Sequence, residues 1–509
     1  MLTRVTPSQL ASLSVVTFTV AYAAYETDAY IVLGMTPFFL LGCARGKHPL
    51  SLIALAAIPV LFLILASVLK AHYTGLPLSV LDRYLLQDNL LVLAFNDYRV
   101  AFILAAIVIG VCIYFAVLIS GRGYFSQFEK AAAAIFVGGS ILCVASLNTS
   151  GLNFLMEEVH GEASFKTFLR STLIPGAQLK VAAVEDGEAT AASRSLGAPI
   201  GGLPDLFFVL QESSFDPHRL DQEYEPRTLF TRKQPITGPL HVHSIGGGTW
   251  LAEFSLVTQM RPQEFGDGGW YVFHQMPGRI KRSLFTQLKE LGYRSLVIYP
   301  VPGFFLNARQ FYKSVGVDEF YDPSELGVSK GWEWRVPDSL FYGALRKKLD
   351  AMPTDQPVAV LLLTINQHGP HDKSDPVGDY LSRYEQSDLA YEAFLDYLRL
   401  RGRKAGVVAF GDHLPEFATE VFDDDERREL TTYEIRCVNF DCEKLPGHEP
   451  AAQLDVTLLA PVALEYFGFE IDGLSRYGQN LLAQCAADVS RCAEEIRLRF
   501  NRAFSAAFQ

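Results

Sequence analysis

Residues 206–214 read LFFVLQESS, an apolar run from Leu206 to Leu210 that passes directly into Gln211, Glu212, Ser213 and Ser214. An unbroken apolar run of this length, bounded by polar residues, is the pattern of a strand buried on both faces. Glu212 stands at its end, where a buried carboxylate is costly unless it is paired or holds a metal. Ser295–Tyr299 (SLVIY), Val358–Thr364 (VAVLLLT) and Gly406–Phe410 (GVVAF) repeat the form, and helical patterns at 281–291 and 338–350 fall between them. This alternation predicts an α/β domain with a mainly parallel central sheet over 205–509. Sheets of that kind place their sites at the carboxyl ends of the strands.

The residues at those ends carry chemistry. The run 406–410 is followed by Gly411-Asp412-His413, an oxygen and a nitrogen ligand side by side after a glycine that permits a tight turn. The run 358–364 leads into Asn366-Gln367-His368-Gly369-Pro370-His371. Between the first run and these two lies GGGTWLAEF, residues 246–254. Glycines before a hydroxyl residue let the backbone approach a bulky anion, and a helix beginning near Thr249 would add free N–H groups for phosphate. Taken singly these signals are modest: Asp-His pairs are often structural, and a Gly-rich turn with Thr is often only a loop or a cap. Their order and their placement at strand ends give them weight.

Other residues are read with two meanings each. Glu253 orients the nucleophile loop or binds an ammonium group, or else is simply acidic charge at a helix N-terminus. His371 lines the pocket or sits in an exposed loop. Trp332 and Trp334 wall a cleft or fill core. His241 and His243 alternate as strand residues do and are taken as structural, and Asp455 as a helix cap.

The first part of the chain differs in kind. Apolar stretches at about 9–24, 29–44, 50–69, 100–120 and 131–147 predict an all-α bundle of five transmembrane helices within residues 1–149. Arg4, Arg45, Lys47, Arg122 and Lys130 fall on one side and Glu26-Thr27-Asp28 on the other, so the segment after the fifth helix is expected outside the cytoplasm. A cleaved signal peptide ending near Ala21-Tyr22-Ala23 is the competing reading, and it leaves the C-terminal domain outside as well. The stretch 74–97, interrupted by Asp82, Arg83, Asp88 and Asp97, reads as an interfacial helix or a plain loop. Residues 150–204 read as a surface helix and an Ala-, Gly- and Ser-rich linker.

A net charge of -12 without a basic stripe argues against nucleic acid as a partner. Of the seven cysteines, Cys43, Cys112 and Cys143 lie in apolar segments. The couples Cys437 with Cys442 and Cys485 with Cys492 read as two disulfides in an extracytoplasmic domain, four buried thiols being the alternative.

On FFVLQESS, GGGTWLAEF, LLLTINQHGP and VVAFGDH, the chain resembles the lipoteichoic acid synthase and phosphoglycerol transferase group of the alkaline phosphatase and sulfatase superfamily, and the related phosphoethanolamine transferases. The resemblance covers about 205–480 together with the five-helix anchor. It implies an alkaline phosphatase-like fold and one divalent metal, Mn2+ or Zn2+. Glu212, Asp412 and His413 match the metal ligands, Thr249 the nucleophile that also touches the metal, and His368 the pocket histidine. It further implies a bacterial inner-membrane enzyme with its catalytic domain in the periplasm. Such an enzyme takes a headgroup from phosphatidylglycerol or phosphatidylethanolamine, through a phospho-threonine, to a glycan or glycolipid. The Trp-x-Arg element and upstream Asp of lipoteichoic acid synthases have no match in GFFLNAR, residues 303–309, which offers Arg309 alone as a phosphate contact. A periplasmic phosphodiesterase or sulfatase-type hydrolase is the rival activity. No Cys/Ser-x-Pro-x-Arg motif surrounds Thr249, which disfavours the sulfatase form.

Overall fold

The computed structural model describes Ser67 and residues 195–231, 236–244, 246–328, 334–422, 428–443 and 453–483. The five expected membrane spans, the helix near 74–97, the surface helix after 150, Trp332 and the Cys485–Cys492 couple lie outside the described residues. Among the described residues no helix is long and apolar enough to cross a membrane.

Eight strands form one sheet: β1 (Asp205–Gln211), β2 (Thr237–His241), β3 (Arg294–Ile298), β4 (Glu319–Tyr321), β5 (Val358–Leu363), β6 (Ala405–Gly411), β7 (Leu430–Val438) and β8 (Leu454–Asp455), in the order β4-β3-β5-β1-β6-β7-β2-β8. The predicted apolar runs are β1, β3, β5 and β6. All residues of β1, β5 and β6 are buried, so nothing along them needs to alternate. The sheet is mainly parallel, as expected. The exception is β7, which runs antiparallel to both β6 and β2.

The described α-helices of seven residues or more are α1 (Thr249–Thr258), α2 (Leu284–Glu290), α3 (Ala308–Ser314), α4 (Asp338–Asp350), α5 (Pro376–Arg401), α6 (Val456–Tyr466) and α7 (Gly473–Leu482). The predicted helices 281–291 and 338–350 are α2 and α4. Ser283 starts α2 with a reciprocal capping box to Thr286, which satisfies the first free N–H groups. Helices α4 and α5 pack together, and Phe394 of α5 meets Phe207 of β1 edge-on with centroids 5.4 Å apart. Helix α1 packs against α6. At its N-terminal end β1 is pinned by Asp205, whose buried carboxylate takes Arg401 at 2.9 Å and Arg403 at 2.7 Å. Cys437 and Cys442 form the expected disulfide, with Cα atoms 5.5 Å apart.

Register does the positioning. In parallel β1 and β5, Leu210 stands opposite Leu363, and in parallel β1 and β6, Gln211 stands opposite Gly411. The residues that follow, Glu212, Thr364 and Asp412, therefore emerge side by side. Thr364 ties the first two ends: its hydroxyl accepts from the Glu212 N–H at 3.0 Å and donates to Gln211 at 3.2 Å.

Gly411 is needed for a different reason from the tight turn expected of it. It is still in the strand, and a Cβ there would fall 1.6 Å from the Ser214 carbonyl oxygen. The β1 turn passes through the space a side chain would fill. Gly411→Ala is therefore expected to lower stability by about 3 kcal/mol or more. Gly343→Ala, in α4 with nothing within 4 Å of its Cβ, should be neutral or stabilising by up to about 1 kcal/mol. Thermal unfolding of the two variants checks the contrast.

Candidate active site

Four side chains from three parts of the chain meet at the strand ends. Thr249 Oγ1 lies 3.3 Å from Glu212 Oε2 and 3.4 Å from His413 Nε2. His413 Nε2 is 3.5 Å from Glu212 Oε1 and 3.2 Å from Asp412 Oδ2. Glu212, Asp412 and His413 are buried, and Thr249 is half-buried. Ser213 fixes both carboxylates. Asp412 Oδ1 accepts from the Ser213 N–H at 2.8 Å, and the Ser213 hydroxyl donates to Glu212 Oε1 at 2.8 Å. Gly246 and Gly248, at φ 64° and 90°, turn the chain into α1, so that Thr249 becomes its first residue. No side chain caps this end of α1, where the Leu251 N–H turns back to the Gly248 carbonyl at 2.8 Å.

The donor set fits a divalent cation. His413 Nδ1 lies 2.9 Å from the Leu414 carbonyl and carries the ring proton toward it, so the Nε2 lone pair faces two carboxylates. Asp412 Oδ2 is buried and makes no hydrogen bond. Lone pairs and carboxylate oxygens aimed at one space repel unless a cation or a proton lies among them. Burial, and then the charge of Glu212, push the Asp412 carboxyl up to about 7. Burial opposes protonation of His413, but the charges of Asp412 and Glu212 outweigh it and raise its pKa. Two carboxylates and one imidazole beside a hydroxyl suit manganese or zinc alike.

His368 follows β5 on the neighbouring loop, which Gln367 ties to the β1 turn by accepting from the Ser214 hydroxyl at 2.9 Å. Its Nδ1 is turned back to the Gly369 carbonyl at 2.8 Å, and its ring lies flat on Trp334, centroids 4.2 Å apart. Trp334 thus walls the pocket histidine. Arg383 of α5 donates to the His368 carbonyl at 2.9 Å. Asp338, at the start of α4, accepts from the Ile365 and Asn366 N–H groups at 2.9 and 3.0 Å. Neither loop-holding residue was singled out in the sequence, where both look like ordinary helix-surface charges.

The remaining candidates stand elsewhere. Arg309 is not an open phosphate contact: its guanidinium is bound by Asp322 at 2.8 Å and Glu325 at 2.7 Å, and lies over the Phe320 ring. A cation satisfied by two carboxylates braces its own loop instead of greeting an anion. His371 is half-buried against Tyr380 and Phe417, and burial lowers its pKa to about 4. Glu253 is neither exposed helix-end charge nor open to an ammonium group. It is buried one turn after Thr249 and bonded to Tyr312 and, at 3.5 Å, Tyr299. Burial pushes its carboxyl up to about 8, against hydrogen bonds from Tyr312 that favour the anion. His243 lies 2.7 Å from Asp455, which also caps α6 through the Thr457 N–H, as expected.

The comparisons agree with this architecture. Residues 204–437, which contain Glu212, Thr249, His368, Asp412 and His413, match the Sulfatase family. An uncharacterized protein of Haemophilus influenzae is 28% identical over 244 residues, 42% of this chain and 44% of that protein. A lipoteichoic acid synthase-like protein of Bacillus subtilis is 25% identical over 269 residues, 47% of this chain and 42% of its own. The chain spans less than half the length of these curated relatives. Among solved structures, the Streptococcus pyogenes phosphoglycerol transferase in complex with sn-glycerol-1-phosphate superposes with a TM-score of 0.50 at 18% identity, covering 63% of this chain and 88% of that one. That likeness shows the fold.

Glu253 makes the metal-free protein sensitive to pH. The unfolded chain releases this proton near the ordinary 4.5 and the folded chain near 8. Within that window the folded state binds more protons, so its stability falls as pH rises, by about 1.4 kcal/mol per unit where the difference is full. Glu253→Gln should flatten the fall in unfolding midpoint between pH 5 and 8 in the presence of chelator, leaving the slope of the other buried carboxyls held above their ordinary range, Asp412, Asp338 and Asp388. Parallel slopes in wild type and variant would show that Glu253 is ionised in the fold.

Proposed function

Because residues 204–437 match the Sulfatase family, we propose that the chain is a membrane-anchored, metal-dependent phosphotransferase acting in the periplasm. In this reading it moves a phospholipid headgroup, phosphoglycerol or phosphoethanolamine, to an envelope glycan or glycolipid. The observation that carries the reading is Thr249. Its hydroxyl sits at the open end of α1, 3.3 Å from Glu212 and 3.4 Å from His413.

Glu212, Asp412, His413 and Thr249 would hold the cation, Mn2+ or Zn2+. When bound, it supplies positive charge that favours the threonine alkoxide and stabilises the phosphoryl oxygens. The chain's own groups account for the rest. Glu212 Oε2 takes the proton of the Thr249 hydroxyl and leaves its oxygen facing the incoming phosphorus. The uncapped N–H groups of α1 take the phosphoryl oxygens. A bond forms from Thr249 Oγ1 to phosphorus as the bond to the diacylglycerol oxygen breaks, and His368 gives that oxygen its proton. In the second half His368 takes the proton of the acceptor hydroxyl. That oxygen attacks phosphorus as the bond to Thr249 Oγ1 breaks, and Glu212 returns the proton it took to Thr249. The Trp334 ring holds the His368 plane for both transfers. A lipid donor gives the expected membrane anchor its physical purpose, since the reacting phosphate lies at the bilayer surface.

Intact mass measurement of the full-length chain, incubated with manganese or zinc and separately with phosphatidylglycerol and phosphatidylethanolamine, tests this. An adduct on Thr249 is expected, and its mass names the headgroup. Thr249→Ala should lose the adduct and at least about a thousandfold of transfer. Full activity in that variant would sink the proposal. Release of free headgroup to water at the same rate with and without a glycan acceptor would turn the reading to a phosphodiesterase.

A further inference from the structure

A second group of ligand-type side chains lies beside the active centre and takes no part in the chemistry above. His241 closes β2, His243 follows two residues later, Asp455 closes β8, and Glu429 precedes β7. His241 is paired across the sheet with Asp455 on one side and Leu430 on the other. The two imidazoles and Asp455 are buried, with His241 and Asp455 each 1% exposed. One ligand atom from each of His241, His243 and Asp455 lies within 4.8 Å of the others.

Hydrogen placement makes this group unusual. His243 Nε2 stands 2.7 Å from Asp455 Oδ2, and His241 Nε2 stands 3.1 Å from Glu429 Oε2. A ring nitrogen facing a carboxylate carries the proton. A neutral imidazole has one N–H, so with both Nε2 atoms protonated each Nδ1 presents a bare lone pair. Those Nδ1 atoms face each other at 2.9 Å. Two lone pairs do not approach so closely unless a cation, a proton or a metal, is shared between them. Two imidazoles with converging nitrogens, each with its other N–H on a carboxylate, form the arrangement that orients metal-ligating histidines.

We propose that His241 and His243 bind a second divalent cation of the zinc class through their Nδ1 atoms. Asp455 and Glu429 fix the two rings through their Nε2–H groups. The cation takes the place of the shared proton. The Arg261 guanidinium also acts on His243 and Glu429, so two carboxylates, two neutral imidazoles, one dication and this guanidinium sum to one positive charge. Zinc–nitrogen bonds of about 2.0–2.1 Å in tetrahedral geometry set the two nitrogens about 3.4 Å apart, so the pair opens by about half an ångström. Imidazole nitrogen favours zinc over manganese or magnesium. This site would keep zinc under conditions in which the oxygen-richer active centre holds manganese.

Its position gives it a structural purpose. It joins β2, β7 and the β8–α6 corner at the point where the chain leaves for Thr249. Ser244, next to His243, donates to the Asp412 carbonyl at 3.0 Å, and Gly246 and Gly248 follow. A cation here pins both the ligand strand and the turn that presents the nucleophile.

Zinc counting on the full-length chain decides the matter. The protein is saturated with Zn2+, freed of excess by gel filtration, and measured by inductively coupled plasma mass spectrometry. Wild type is expected to hold about two zinc ions per chain, His241→Gln and His243→Gln about one each, and the double variant Glu212→Gln/Asp412→Asn about one. Retention of the other ion by each variant reports that its domain is folded. Should the histidine variants fail to fold, Glu429→Gln keeps both Nδ1 atoms and is expected to weaken one of the two affinities by about 10–100-fold. The proposal is overturned by a wild-type zinc content that His241→Gln and His243→Gln leave unchanged, or by Glu429→Gln binding both ions as wild type does.

Discussion

Glu212 and Asp412 emerge next to each other from adjacent parallel strands, both buried, with the Nε2 lone pair of His413 turned toward them. Like charges so placed cannot both ionise in apolar surroundings unless something positive shares the space. The rest of the domain follows from holding them there. The Ser213 N–H and hydroxyl fix one oxygen of each. Gly411 has no side chain because the β1 turn occupies that volume. Thr364 joins the β1 and β5 ends. A sheet whose central strands are buried on both faces is stiff enough to keep two carboxylates close, one held by the Ser213 N–H and the other by its hydroxyl.

Thr249, the proposed nucleophile, is delivered by a different device. Thr249 is on no strand. It is swung over the strand ends by glycines in the left-handed region and becomes the first residue of α1. One turn further on, the same helix buries Glu253 between two tyrosines. The Tyr312 and Tyr299 hydroxyls both donate to its carboxyl and anchor α1, and in the protonated form that burial favours it adds no third negative charge beside Glu212 and Asp412. Its raised pKa is thus tied to the charge balance of the centre. The His368 loop is held from behind by Asp338 and Arg383 and in front by Trp334. A histidine kept in plane in this way can pass one proton out and take another back without reorganising.

The paired histidines beside the centre obey the same electrostatic rule from the opposite direction. At Glu212 and Asp412 it is negative charge that demands a cation. At His241 and His243 it is two lone pairs, each backed by a carboxylate. The two groups are coupled through Ser244 and the Asp412 carbonyl, so order in one is order in the other.

Chain order alone made the heart of the domain legible. Strands buried on both faces show as unbroken apolar runs, and the parallel sheet they imply puts function at their ends, so Glu212, Asp412 and His413 stand out from their positions in the chain. The Cys437–Cys442 disulfide is as local as its spacing suggests. By contrast β7, LTTYEIRCV, has no such signature because its polar residues are satisfied internally: Glu434 is buried with Arg436 at 2.7 Å and Tyr391 at 2.7 Å. Arg309 looked open to phosphate because Asp322 and Glu325 close on it only once β4 and α3 pack. His243 and Asp455 are 212 residues apart, a separation at which spacing carries no signal. Sequence determines what each strand must bury and what it leaves at its tip. Which tips, rings and carboxylates meet, and hence which of them hold a proton, depends on distances across the chain that only the packed sheet defines.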